Sequence, residues 1–185
     1  MDILAHGLWA AGVYRAANLK VKSKERFNLW MAAFWGIFPD LFAFTIPFAW
    51  MIWNRIVNKV DFSQMRPENI EPIVNHLPVF QLANSLYNLS HSLIIFALVF
   101  GLVWFFRKKP YWEMGAWVLH IIMDIPTHTY RFFPTPFLWP ISGVKANGIS
   151  WADPLVLVLD FFLLVLVYVS LAVLRSRDRK KQNPR

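Results

Sequence analysis

From Pro154 to Leu174 only Asp160 and Ser170 interrupt an apolar run. Leu86 to Phe106 is a second such stretch, and Asn28 to Trp53 a third. About 20 apolar residues are what an α-helix needs to cross the hydrocarbon core of a bilayer. Charged residues make up 16% of the chain and hydrophobic ones 57%, whereas a water-soluble domain carries about 25% charged residues. The chain therefore reads as an integral membrane protein of the all-α class, a polytopic helical bundle.

Five hydrophobic helices are predicted: Ile3 to Asn18, Phe27 to Trp53, Asn84 to Phe106, Trp112 to Thr127 and Ala152 to Arg175. Gly7 and Gly12 in the first can allow close helix packing. Pro39 and Pro47 predict a kink or break in the second, and Pro126 a disturbed last turn in the fourth. Two long loops, Asn54 to Ala83 and Thr129 to Trp151, lie on one side of the membrane. Residues 1–175 form a single transmembrane domain, and 176–185 a basic cytoplasmic tail. No internal repeat is evident.

The net charge is +8, from 19 basic and 11 acidic residues. Basic charge of this size can mark a nucleic-acid binder, but its position argues against that. Arg15, Lys20, Lys22, Lys24 and Arg26 separate the first two helices, and Arg107, Lys108 and Lys109 the third and fourth. Six more lie in the tail from Arg175, so 14 fall on one side; Arg55, Lys59, Arg66, Arg131 and Lys145 make 5 on the other. By the positive-inside rule the C-terminus is cytoplasmic, and with five spans the N-terminus is outside. The chain has no cysteine, which excludes disulfides and thiolate metal sites. Met1-Asp-Ile-Leu-Ala-His6 lacks the basic region and cleavage site of a signal peptide.

Within this apolar sequence the ionisable residues stand out. His120 and Asp124 are four apart and share a helix face, with His128 four further on. His6 is near the outer end of the first helix, Asp40 follows Pro39, His91 is some seven residues into the third helix, and Asp160 some eight into the fifth. In the predicted orientation all fall in the outer half of the bilayer. Such groups are costly in lipid unless paired, protonated or bound to a cation. Taken singly each has a plain structural role: His6 as a helix-packing hydrogen bonder, Asp40 as a cap at a helix break, His120 and Asp124 as a hydrogen-bonded couple. Taken together, nitrogen and oxygen donors without thiolate suit Zn²⁺ first, with Mn²⁺ and Fe²⁺ as alternatives. His6, Asp40, His91, His120 and Asp124 are the expected ligands, for one ion with an open position or for two. His128 and Asp160 are expected as ligands, proton shuttles or hydrogen-bond partners of ligands, and Asp124 shares in the catalytic role. His76, in the proline-rich loop, reads as a surface residue.

In these motifs the chain resembles the YdjM-like family of membrane-bound metal-dependent hydrolases. The residues that carry the resemblance are His6, Pro39-Asp40, Ser90-His91-Ser92, His120-x-x-x-Asp124 and Trp139-Pro140, in that order. Many members have a further acid where this chain has Phe42, and a His-Arg pair where it has Leu86-Tyr87. The ligand order is also similar to that of zinc-dependent phospholipases C, which act on lipid phosphodiesters. The expectation is a metal-dependent hydrolase of a bacterial inner membrane, its site facing the outer leaflet. Its partner would be a membrane lipid or lipid-linked phosphoester. The alternatives are a metal or proton transporter, and a non-catalytic protein with a structural metal.

Overall fold

A computed structural model describes residues 2–57 and 78–182, with side chains to residue 177. Six α-helices are present among them: α1 Ile3–Asn18, α2 Leu29–Val57, α3 Pro78–Ser90, α4 Leu93–Arg107, α5 Gly115–Thr127 and α6 Pro154–Gln182. No sheet occurs among the described residues, only an isolated bridge between Thr129 and Phe132. His76 and most of the first long loop lie outside the described residues.

The third predicted helix is two helices. Its start lies at Pro78, and it breaks at His91-Ser92, where α3 and α4 meet at a bend of 63°. Neither proline nor glycine marks this break, which a serine makes. The Ser92 hydroxyl oxygen accepts from the backbone N–H groups of Ile94 and Ile95 at 3.1 and 3.2 Å, the pattern of a helix N-cap. It also donates to the Trp139 carbonyl of the long loop between α5 and α6. The second helix departs from prediction the opposite way: Pro39 and Pro47 sit inside one continuous α2. Helices packed in a membrane tolerate proline where neighbours satisfy the freed backbone groups. The last helix continues past Arg175 to Gln182, because Arg and Lys are good helix formers.

Two helices, α2 and α6 over Pro154–Arg177, are long and apolar enough to cross a bilayer; the bent α3–α4 pair makes a third if counted as one span. At 16 and 13 residues, α1 and α5 extend only about 24 and 20 Å against a core of about 30 Å. The outward faces suit lipid: Leu155, Val158 and Phe162 of α6 are each more than half exposed.

Helix α2 is the axis of the bundle, packing against α1, α3 and α5, while α6 lies on α1. The buried face of α2 is Ala32, Gly36, Pro39, Asp40, Ala43 and Pro47, small residues broken by one carboxylate. Gly7 of α1 meets the same helix, with room for no more than hydrogen opposite Ile37. Gly12 faces Val167 and Tyr168 of α6 at ordinary contact distance, so close approach is the work of Gly7 and Gly36. Met114, Trp117 and Ile121 centre the apolar core, with Trp35 stacked on Trp117 at 6.0 Å between centroids.

The two basic connections share one end of this bundle. Asn28 N–H donates to Glu113 Oε1 at 2.9 Å, and the Tyr14 hydroxyl to the Trp112 carbonyl. At the opposite end the loop between α5 and α6 closes over α5. Gly148, Ile149 and Trp151 donate to the carbonyls of His128, Pro126 and Thr127 at 2.8–2.9 Å. Those are the last carbonyls of α5, which have no partner within the helix. Only glycine fits at 148, since an added Cβ would lie 2.1 Å from the Pro126 oxygen.

Candidate metal centre

Four segments bring their polar residues to one buried point: α1 with His6, α2 with Asp40, the α3–α4 break with His91, and α5 with His120, Asp124 and its C-cap His128. All six are buried. Asp40, His91, His120 and Asp124 each offer a ligand atom within 4.8 Å of the others. His120 Nε2 lies 3.0 Å from His91 Nε2, 3.1 Å from Asp124 Oδ2 and 3.7 Å from Asp40 Oδ1. His91 Nε2 is 3.3 Å from Asp124 Oδ2 and 3.5 Å from Asp40 Oδ1. Bond lengths of about 2.0–2.2 Å put neighbouring ligands of one Zn²⁺ about 3–3.5 Å apart.

Hydrogen bonds behind the rings decide what faces this point. His120 Nδ1 lies 2.7 Å from the carbonyl of Gly36. A carbonyl can only accept, so Nδ1 carries the proton and a neutral ring turns its Nε2 lone pair inward. Ser90 Oγ lies 2.9 Å from His91 Nδ1 and 3.5 Å from the Tyr87 carbonyl. In the tautomer where Ser90 accepts from His91 Nδ1–H, His91 Nε2 is a lone pair as well. In that tautomer two lone pairs stand 3.0 Å apart beside two carboxylates, an arrangement that a cation between them relieves. A donor on the far nitrogen of each ligating imidazole is the usual arrangement behind a bound metal.

The same contacts explain why these residues and not others converge. Trp117 Nε1–H donates to the Ser90 carbonyl at 2.6 Å, tying α5 to the break that carries His91. Tyr87 stacks on the His91 ring at 3.7 Å. His6 stacks on His120 at the same distance. Replacing Ser90 by Ala removes the acceptor behind His91. Metal affinity, measured by competition with a chromogenic chelator, is expected to fall about 10- to 100-fold. A change under twofold would show that Ser90 does not orient the ring.

Asp160 is placed apart: its Oδ1 accepts from Trp9 Nε1 at 2.8 Å, and among the described residues no hydrogen bond or ion pair links it to the cluster. Phe42 is two residues from Asp40, a spacing that does not share a helix face, and its side chain is exposed. An acid at that position would point away from the cluster. Sequence reasoning missed the Gly36 carbonyl, the Trp117 tie and the Tyr87 stack. None has a sequence signal, because each is a contact between helices.

The chain matches no protein-family model, no curated protein and no solved structure.

Proposed function

We propose that this protein is a membrane-embedded, metal-dependent hydrolase acting on a phosphoester of a lipid or other amphiphile. The observation that carries the reading is the convergence of two imidazoles and two carboxylates on one buried point, with His91 Nε2 and His120 Nε2 3.0 Å apart. A metal bound there would be held by Asp40, His91, His120 and Asp124. When bound, a divalent ion lowers the pKa of a coordinated water towards 7 and polarises the scissile group. The donor set has no thiolate and suits Zn²⁺, with Mn²⁺ and Fe²⁺ as alternatives.

A cavity of about 300 Å³ runs to this centre. Asp40 and His128 stand in its wall, and Phe44, Phe48, Met51 and Phe132 make much of the rest. The wall thus carries polar groups beside the ligands, with Asp2 a further acid, and is otherwise apolar. That polarity matches an amphiphile whose head reaches the centre and whose chain stays among aromatic rings. The apolar walls exclude bulk water from the reacting head, which strengthens every charge interaction inside. The resemblance to the YdjM-like family supports the same reading. Asp160 takes no part in this chemistry; it seats α6 on α1 through Trp9.

In the membrane, we propose that α1 and α5 are short segments inserted beside α2, the α3–α4 pair and α6. That gives five segments, the basic connections cytoplasmic and the metal centre towards the outer leaflet of a bacterial inner membrane. The test is to purify the protein in detergent, count bound metal, and assay a panel of lipid phosphomonoesters and phosphodiesters. His120→Ala and treatment with chelator are each expected to reduce turnover to background, with restoration of the chelated protein by added Zn²⁺ or Mn²⁺. Metal content and turnover that survive His120→Ala would overturn the proposal. Metal flux into proteoliposomes without hydrolysis would assign the centre to transport instead.

A further inference from the structure

Asp124 presents its two carboxylate oxygens to different pairs of histidines. Oδ2 faces His120 and His91 at 3.1 and 3.3 Å, the group already described. Oδ1 faces His6 Nε2 at 2.9 Å and His128 Nδ1 at 3.4 Å. We infer that Asp124 bridges two metal ions, and that its Oδ1, His6 and His128 form a second cation site beside the first. The inference rests on reading the Asp40–His91–His120–Asp124 group as a metal site.

Three observations carry it. First, His6 is 1% exposed, and among the described residues neither of its ring nitrogens has an aligned hydrogen-bond partner. Its Nε2 sits close to Asp124 Oδ1 but off the line a hydrogen bond requires. A buried imidazole left in that state is costly, and a ligand on Nε2 relieves it. Second, His6 Nε2 and His128 Nδ1 lie 2.9 and 3.4 Å from the same Asp124 oxygen, each a separation that two neighbouring ligands of one ion can have. His128 Nδ1 also lies 3.2 Å from the backbone carbonyl of Asp124. A proton on Nδ1 would satisfy that carbonyl, and a metal would displace it, so occupancy by His128 is open to direct test.

The third observation is charge. The cluster holds two carboxylates, Asp40 and Asp124, and imidazoles that are neutral when they ligate a metal. One divalent ion brings the centre to zero. Among the described residues no Lys or Arg lines the cavity that leads to it, and Asp2 adds a further carboxylate to the wall. An anionic phosphoester would then face a centre with no net positive charge. A second divalent ion leaves the centre at +2, the sign such a head group needs. Paired ions also act as a clamp on both the attacking and the leaving oxygens of a phosphoryl group.

The decisive experiment counts ions and does not depend on turnover. The full-length protein is stripped with chelator, reloaded by dialysis against Zn²⁺, and its metal measured by mass spectrometry per mole of chain. The wild type is expected to hold two ions, and His6→Gln and His128→Gln one each. One ion in the wild type, or two in both variants, would overturn the inference. Because a variant can fail to fold, the wild type is also loaded with Mn²⁺ and examined by electron paramagnetic resonance. A spin-coupled pair is expected, and a spectrum of isolated Mn²⁺ alone would overturn the second site. Two ions without hydrolysis would count against the proposed activity and not against this site. One ion with full hydrolysis would do the reverse.

Discussion

Asp124→Asn is expected to cost the protein its metal and its activity while leaving the fold in place. The substitution keeps the shape of a side chain that touches His6, His91, His120 and His128. It removes the anionic charge that all four surround. Loss of this ligand should weaken metal binding by more than the roughly 10- to 100-fold that follows loss of a supporting hydrogen bond. The effect on stability has a sign that separates a metal centre from a plain hydrogen-bond network. In the wild type, metal at a hundred times its Kd adds about 2.7 kcal/mol to stability by mass action. In Asp124→Asn the same metal should add close to nothing. Without metal the order reverses, because a buried carboxylate lacking its cation is a liability that the amide relieves. Thermal unfolding in detergent, with and without Zn²⁺, reads both effects. An equal metal-induced shift in wild type and variant would show that Asp124 holds no cation.

Gly36→Ala is expected to damage the site from the other side, through the backbone. A Cβ built at Gly36 would lie 2.6 Å from Ala10 Cβ and 2.9 Å from the His6 carbonyl oxygen. Neither neighbour is the end of a flexible side chain, so α1 and α2 must separate. Overpacking of this kind costs about 1–3 kcal/mol. The same shift moves His6 on α1 and the Gly36 carbonyl that receives His120 Nδ1–H. Metal affinity should therefore fall together with stability, although position 36 carries no ligand. Gly101 supplies the control, since nothing lies within 4 Å of a Cβ built there. Gly101→Ala should be neutral or stabilise α4 by up to about 1 kcal/mol, as alanine does in an open helix. If the two alanine variants behave alike in unfolding and chelator competition, the contact between α1 and α2 does not control the centre.

Much of this was legible in the residues. Apolar runs marked α2, α4 and α6, because a helix satisfies its polar backbone within one segment while its side chains suit an apolar surrounding. The spacing of His120 and Asp124 placed both on one face of α5, because i and i+4 coincide on any α-helix. His6, Asp40 and His91 stood out because such groups are too costly among apolar neighbours to be incidental. The break at His91-Ser92 was not legible. Serine caps a helix only where the chain elsewhere supplies a reason to turn, and here that reason is Trp139 of a distant loop. The continuity of α2 through Pro39 and Pro47 was hidden for the same reason, since neighbours decide whether a proline breaks a helix or is absorbed.

The amino-acid sequence by itself determined the helical class, the apolar faces and the kind of donor atoms available to a cation. Those follow from periodicity and from the cost of burying charge, which each segment carries alone. Tertiary structure decided which nitrogen of each histidine points inward, which histidines share which oxygen of Asp124, and that Asp160 stands aside with Trp9. These are settled by hydrogen bonds a few ångströms long between segments far apart in the chain. No local pattern encodes them, because their partners are chosen only when the helices pack.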